Sequence, residues 1–69
     1  MGKVKVPQKV LDGLMAVRDS GLTNMLDRPM VTRLARRMGF EDAADWVRTH
    51  PKEYAEGVFM GFGPQAEDE

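Results

Sequence analysis

The chain has 69 residues, of which 10 are lysine or arginine, 11 are aspartate or glutamate and none is cysteine. This length predicts one small domain that buries only about 60% of the surface of its unfolded chain, and the lack of cysteine excludes disulfides and thiolate metal sites. The near balance of charge excludes a general attraction to nucleic acid or anionic membranes, and no apolar run approaches the roughly 18–20 residues of a membrane span. We expect a cytoplasmic protein that does not bind membranes.

Composition divides the chain into three segments. We expect residues 1–6 to form a flexible basic arm, residues 7–62 a single helical domain and residues 63–69 a disordered acidic tail. Within the central segment, apolar residues recur at helical spacing between short polar turns. The pattern predicts an all-α fold, a small bundle of three to four short helices.

Local signals set the boundaries of the first two helices. Pro7 suits the first turn of a helix and Gly21 suits the left-handed position after its end, so helix 1 is predicted over about residues 7–20. Asp27 is a good N-cap, and helix 2 is predicted over about residues 28–38.

Two further helices follow in the same way. Glu41 and Asp42 favour a helix start through the helix dipole, and Pro51 disfavours helical geometry at the residue before it, so helix 3 is predicted over about residues 41–49. Pro51 also opens helix 4, which Gly63 stops.

Apolar spacing also predicts which side chains are buried. The predicted core consists of Leu14, Leu34, Trp46, Val58 and Phe59. In the connector between helices 1 and 2, the residues expected to point inward are Leu22, Met25 and Leu26. One charge interrupts the apolar stripe of helix 1: Arg18 either extends to solvent from the last turn or pairs with Asp19 or Asp27.

The sequence offers little support for catalysis. The one histidine, His50, precedes a proline at a helix junction and has no identifiable partner base or nucleophile. Asp42 and Asp45 lie one helical turn apart, but without further ligands they are more typical of a solvated face near a helix N-terminus. No glycine-rich phosphate loop and no Ser-His-Asp set can be assembled. We therefore expect no enzyme activity, no catalytic residue, no metal site and no cofactor.

A group of arginines on helix 2 is the best polar binding candidate. Arg33, Arg36 and Arg37 fall within one arc opposite the apolar face. Together these guanidinium groups could bind an acidic protein patch or a phosphate. The alternative is a solvated face that nearby carboxylates partly neutralise.

Helix 4 offers a second candidate surface. Gly57 and Gly61 lie one turn apart beside the apolar stripe, where they would let another backbone approach, and Met60 lies on the outside. Glycine in a helix interior costs roughly 1 kcal/mol, so two of them invite an explanation. Either they tolerate crowding within the chain or they form a partner or self-association surface.

Residues 34–40 are similar to the first helix and turn of a helix-turn-helix unit. The helix after the turn begins with Glu41 and Asp42, whose carboxylates the phosphate backbone would repel. An ordinary helical hairpin closed by glycine is therefore favoured. A small DNA- or RNA-binding regulator remains the alternative function, and its surface would be helix 2 together with the basic residues Lys3, Lys5 and Lys9.

Two segments carry a resemblance to a known family. The segment AVRDSGLTNMLD, residues 16–27, and the tripeptide KEY, residues 52–54, resemble a family of short proteins of unknown function in phages, prophages and related mobile elements of bacteria. The resemblance covers about residues 7–62 and implies a small intracellular helical protein with no assigned activity. It carries over no catalytic or binding residue. Pro51 and the acidic tail depart from the family pattern and put the junction of helices 3 and 4 in doubt.

These observations together predict a non-enzymatic accessory protein that binds a larger host or phage protein. An inhibitor or modulator of a host complex is one concrete form of this hypothesis. The residues expected to bind the partner are Arg33, Arg36, Arg37, Gly57, Met60 and Gly61. Nucleic acid is a less favoured partner than protein, and a structural homodimer is a third possibility.

Overall fold

A computed structural model describes residues 2–65 of the chain. Its elements are β1 (Val4–Val6), α1 (Gln8–Ser20), α2 (Arg28–Arg37), α3 (Glu41–Thr49), α4 (Pro51–Met60) and β2 (Phe62–Pro64). The predicted small helical bundle is confirmed, with one addition: β1 and β2 form a two-stranded parallel sheet. None of the helices in the described part of the chain is long and apolar enough to cross a membrane.

Strand β1 corrects the prediction of a flexible arm over residues 1–6. Val4 pairs with Phe62 and Val6 with Pro64, and Val6 is fully buried. Because alternate strand residues face opposite sides, the two valines turn toward the helices while Lys5 between them is exposed. In the sequence, Lys3 and Lys5 led to the prediction of a basic arm and not of a strand.

The same pairing corrects the predicted tail over residues 63–69. Gly63 and Pro64 belong to β2, and the backbone N–H of Gln65 donates to the carbonyl oxygen of Val6 over 2.8 Å. The rest of the predicted tail, residues 66–69, lies outside the described residues.

The helix ends follow the local signals in the sequence. Gly21 ends α1 with a φ of 67°, a left-handed conformation that glycine adopts without steric cost. The Asp27 carboxylate accepts the backbone N–H of Met30 over 3.3 Å and so caps α2. Helix α3 has the predicted bounds. Helix α4 ends at Met60 and not just before Gly63 as predicted, because Gly61 turns the chain with a φ of 98°.

The core is built mainly from small aliphatic side chains. Its buried members are Val6, Val10, Leu14, Val17, Val31, Leu34, Ala35, Ala43, Ala44, Val47 and Tyr54. The prediction is confirmed for Leu14 and Leu34, while Trp46 and Val58 are partly buried against this cluster. It is wrong for Phe59, which is 78% exposed. Helix α4 turns Tyr54 inward. Phe59 follows five residues later and, at about 100° per residue, lies about 140° around the helix from Tyr54, so it faces solvent.

The connector between α1 and α2 presents its leucines outward, which corrects the prediction that they point inward. Leu22 is 70% exposed and Leu26 57% exposed, whereas Met25 is partly buried. Local hydrogen bonds shape this segment. The Ser20 hydroxyl accepts the N–H of Leu22 over 3.2 Å, and the Asn24 side-chain oxygen accepts the N–H of Leu26 over 2.8 Å. Because the polar side chains satisfy the backbone, the connector keeps its shape without burying its leucines.

Candidate functional site

An apolar groove of about 350 Å³ lies between α1 and α4. Its charged lining residues, within the described part of the chain, are Lys3 and Arg18, and both are cations. The uncharged lining residues are Leu11, Leu14, Met15, Met25, Gly57, Val58, Gly61 and Phe62. A concave apolar surface with a few polar groups at defined positions is typical of a binding site.

The groove exists because α4 is fastened at its two ends and not along α1. Helix α4 packs mainly on β1 and α3. Near its start, the Tyr54 hydroxyl donates a hydrogen bond to the carbonyl oxygen of Met25 in the connector. After its end, Phe62 begins the strand that pairs with β1. The space beside α1 is therefore left open, and Val58 faces it.

Phe62 forms one wall of the groove by lying over Gly57. A Cβ atom at Gly57 would overlap the Cε1 and Cζ atoms of the Phe62 ring. The ring centroid of Phe62 lies 6.0 Å from that of Trp46 in an edge-on arrangement and 5.7 Å from that of Tyr54. This aromatic group holds the end of α4 against α3.

These contacts give Gly57 and Gly61 roles other than the partner or self-association surface that the sequence suggested. Gly57 is buried beneath Phe62, so it serves packing within the chain, and Gly61 provides the positive φ that ends the helix. Both residues line the groove, whereas Met60 is half-exposed and is not among the groove's lining residues. The glycines therefore shape a concave surface and do not form a flat strip for a second backbone.

The buried phenol of Tyr54 links α4 to the connector. Its side chain is almost fully buried, and burial raises the pKa of Tyr54 to about 12 from the ordinary value of 10.0. The neutral phenol is thus the stable form, and it donates to Met25, a residue of the groove wall. This hydrogen bond joins α4 to the part of the connector that lines the groove.

Of the three arginines predicted to form a face on α2, one is paired with carboxylates and two have no carboxylate partner within residues 2–65. Arg36 donates to the carboxylate of Glu41 over 2.7 Å and to that of Asp45 over 3.4 Å. Within residues 2–65, no carboxylate oxygen lies within 4.0 Å of a nitrogen of Arg33 or Arg37. The predicted arginine face is present, but Arg36 at its centre is paired with carboxylates of α3.

The basic residues of the alternative nucleic-acid surface are dispersed. Lys3 lines the groove, Lys5 projects from β1, and Lys9 lies 3.9 Å from the carboxylate of Asp42 at the start of α3. Both this carboxylate and that of Glu41, which pairs with an arginine of α2, lie where a recognition helix would begin. Anionic charge at that position opposes binding to a phosphate backbone.

Arg18 and His50 each make a local contact. Arg18 lies 3.4 Å from the carboxylate of Asp19, which is one of the two predicted ion pairs, while Asp27 caps α2 instead. The His50 ring stacks on Trp46 with centroids 4.8 Å apart, and its Nδ1 atom lies 3.0 Å from the Trp46 carbonyl oxygen. His50 thus packs at the α3–α4 junction.

Sequence reasoning missed the groove itself. Its lining residues come from Lys3 before β1, from α1, the connector and α4, and from Gly61 and Phe62 after α4, so they are widely separated in the sequence. No local pattern identifies residues that come together only through tertiary packing. The one available signal was the alternation Val4-Lys5-Val6, which is typical of a strand with one buried face.

Comparison with known proteins identifies a family. The model of a family described as a domain of unknown function (DUF5049) matches residues 6–61, from the end of β1 through α4. The match covers most of the chain, so the chain belongs to this family. No curated protein and no solved structure matches the chain significantly.

Proposed function

We propose that this member of the DUF5049 family is a non-enzymatic binding domain that docks on a larger protein. It takes a helical segment of that protein into the groove between α1 and α4. One observation carries the proposal: the groove is lined by apolar side chains, and its charged lining residues in the described part of the chain, Lys3 and Arg18, are both cations.

The chemistry of the groove defines the segment that it would bind. An amphipathic helix places apolar residues three and four positions apart on one face, and such a face fits a groove between two helices. Leu11 and Met15 on one wall and Val58 on the other offer the apolar contact. Acidic residues beside the apolar face of the partner helix would lie near Lys3 and Arg18, which selects against basic segments.

The arginine face of α2 has a secondary role in this proposal. Arg33 and Arg37 are exposed and lie one helical turn apart, where they would raise the rate of association with an acidic partner. Arg36 contributes less because Glu41 and Asp45 already neutralise it. Met60, half-exposed on α4, would add apolar contact outside the groove.

We place this activity in the cytoplasm of a bacterium that carries a phage or related mobile element. The resemblance of residues 16–27 to short phage and prophage proteins supports this setting. In it, an accessory domain that occupies a helix-binding interface would act as an inhibitor or modulator of a host complex, because the bound helix can no longer reach its own partner.

Site-specific photo-cross-linking in the native host tests the proposal. A benzophenone amino acid replaces Met15 in the groove or, as the control, Met38, which is 41% exposed at the end of α2 and is not a lining residue. We expect position 15 alone to cross-link to one larger protein, through a peptide that is apolar on one helical face and acidic beside it. Equal cross-linking from both positions, or none from position 15, contradicts the proposal.

A charge reversal provides the matched quantitative test. Arg18→Glu changes a cation of the groove, and Arg33→Glu changes an exposed arginine away from it. With the cross-linked segment as a synthetic peptide, we expect Arg18→Glu to weaken binding about tenfold and Arg33→Glu to weaken it much less. Similar losses for both variants would place the site elsewhere, and recovery of nucleic acid in place of a protein would favour the DNA- or RNA-binding alternative.

A further inference from the structure

The exposed face of α4 has the chemical character that the groove is suited to bind. Phe59 is 78% exposed and Met60 50% exposed, and both lie on a helix that also exposes Glu53 and Glu56. Glu56 precedes Phe59 by three positions and Met60 by four, so it neighbours both on the helix surface. This acidic and apolar surface of α4 is complementary to an apolar groove whose charged lining residues are Lys3 and Arg18.

We propose that a second copy of this chain fills the groove with its own α4. In the resulting homodimer, Phe59 of each copy enters the apolar groove of the other, and the carboxylates of Glu53 and Glu56 come opposite the cations Lys3 and Arg18. The inference rests on the groove that we assign as the docking site in the proposed function, and it names a second occupant that competes with the larger partner.

The position of α4 makes a two-fold arrangement possible. Val58 lines the groove and Phe59, the next residue, is about 100° further around the helix toward solvent, so the apolar surface continues from the groove onto the exposed side of α4. Two copies related by a two-fold axis can therefore pack their α4 helices against each other, each beside the α1 of its neighbour. Such an interface uses the same patch on both copies and is closed.

The cations of the groove favour a second copy of this chain for the same reason that they favour an acidic segment of a larger protein. A basic helix would be repelled by Lys3 and Arg18, whereas α4 exposes two carboxylates against one cation, Lys52, and so carries a net negative charge. The dimer also covers Phe59, the most exposed of the large apolar side chains in the described part of the chain. The free protein would then be a dimer at high concentration, and binding of the larger partner would require the dimer to dissociate.

Sedimentation velocity of the full chain at concentrations from about 1 µM to about 1 mM tests the inference. We expect the mass to rise from the monomer value of 7.8 kDa toward twice that value as concentration increases. Phe59→Glu should remain monomeric over the same range, and Met38→Glu, a control at an exposed apolar side chain just after α2, should still dimerise. A monomeric wild type, or a Phe59→Glu variant that dimerises like the wild type, overturns the inference.

Charge exchange between two variants tests the orientation of the interface. The first variant carries Glu53→Lys and Glu56→Lys, and the second carries Lys3→Glu and Arg18→Glu. Each should be monomeric alone, because like charges meet at both contacts. Mixed in equal amounts, the two should form a heterodimer, since both contacts then join opposite charges. A mixture that stays monomeric contradicts this arrangement.

Different results would contradict the homodimer and the docking on a larger protein. A monomeric wild-type protein that still cross-links from position 15 to a larger protein would remove the homodimer and leave the proposed function intact. A dimer with the expected response to Phe59→Glu, together with no cross-linked larger protein, would leave self-association as the use of the groove.

Discussion

Gly13 of α1 and Ala43 of α3 meet where the two helices cross. A Cβ atom at Gly13 would overlap the Cβ of Ala43 and would lie 2.8 Å from the Cβ of Phe40. These atoms are attached directly to the backbone, so a side-chain rotation cannot make room. The crossing therefore requires glycine at this position, and the apolar pattern of α1 does not reveal that requirement.

We predict that Gly13→Ala destabilises the fold. Alanine in place of glycine inside a helix ordinarily stabilises by about 1 kcal/mol, but overpacking here should cost about 1–3 kcal/mol and reverse the sign. Urea denaturation followed by circular dichroism measures the change. The control is Arg33→Ala on the exposed face of α2, which should change stability by less than about 0.5 kcal/mol. A Gly13→Ala protein more stable than the wild type would show that the helices do not cross this closely.

We predict that stability falls in strongly alkaline solution because of Tyr54. Burial raises the pKa of Tyr54 to about 12, so the folded state retains the phenolic proton that an unfolded chain loses near pH 10. The stabilisation from the neutral phenol is thus complete below about pH 10 and is lost as the pH rises toward 12, by up to about 2–3 kcal/mol. Denaturation between pH 9 and pH 12 should show a steeper loss for the wild type than for Tyr54→Phe.

The chain contains a single tyrosine, which makes the same pKa directly observable. The ultraviolet absorbance of tyrosinate in the folded protein should appear at a higher pH than in the protein unfolded in urea. A folded-state midpoint near pH 10 would mean that the Tyr54 hydroxyl is solvated. Tyr54→Phe at neutral pH should cost about 1–2 kcal/mol, because it leaves the Met25 carbonyl without its donor.

We predict a small, salt-dependent contribution from the ion pairs of Arg36. The side chains of Arg36 and of its two partners are substantially exposed, so the bridges to Glu41 and Asp45 should contribute no more than about 1 kcal/mol. Arg36→Ala should lower stability at low ionic strength, and the difference from wild type should shrink in about 1 M salt. Arg37 forms no such ion pair within the described residues. Arg37→Ala should therefore show no comparable salt dependence of stability.

We predict that Phe59 contributes little to the stability of the monomer. Its side chain is 78% exposed, so Phe59→Ser should cost less than about 0.5 kcal/mol at micromolar protein concentration. Leu14→Ala, at a fully buried position, should cost about 2–5 kcal/mol and shows the scale of a core substitution. A loss of similar size for Phe59→Ser would place this phenylalanine in the core, as its spacing in the sequence suggested.

The sequence predicted most of the helical architecture because helix boundaries depend on neighbouring residues. Asp27 caps α2 through its own side chain, Gly21 ends α1 through its own φ, and Pro51 separates α3 from α4. Each of these effects acts within about one helical turn. The bounds of α3 were predicted without error for that reason, even though the acidic residues and Pro51 were the only local signals.

Residue spacing was less informative about which side of each element is buried. For α4 it predicted that Phe59 is buried, whereas Phe59 is 78% exposed and the helix buries Tyr54 and Gly57. The choice depends on Phe62, which lies over the glycine and requires that face of the helix to turn inward. The outward leucines of the connector have a similar origin, since polar side chains within the segment satisfy its backbone.

The sequence alone determined a bundle of three to four short helices, their approximate ends and the absence of disulfides, because these follow from local backbone preferences and composition. Only the tertiary structure decided that Val4–Val6 pairs with Phe62–Pro64, and that α4 therefore stands apart from α1 along a groove. Pairing of the two chain ends brings together residues with no neighbouring signal in the sequence. The groove and the role of Lys3 in it exist because long-range packing, and not helix propensity, sets the position of α4.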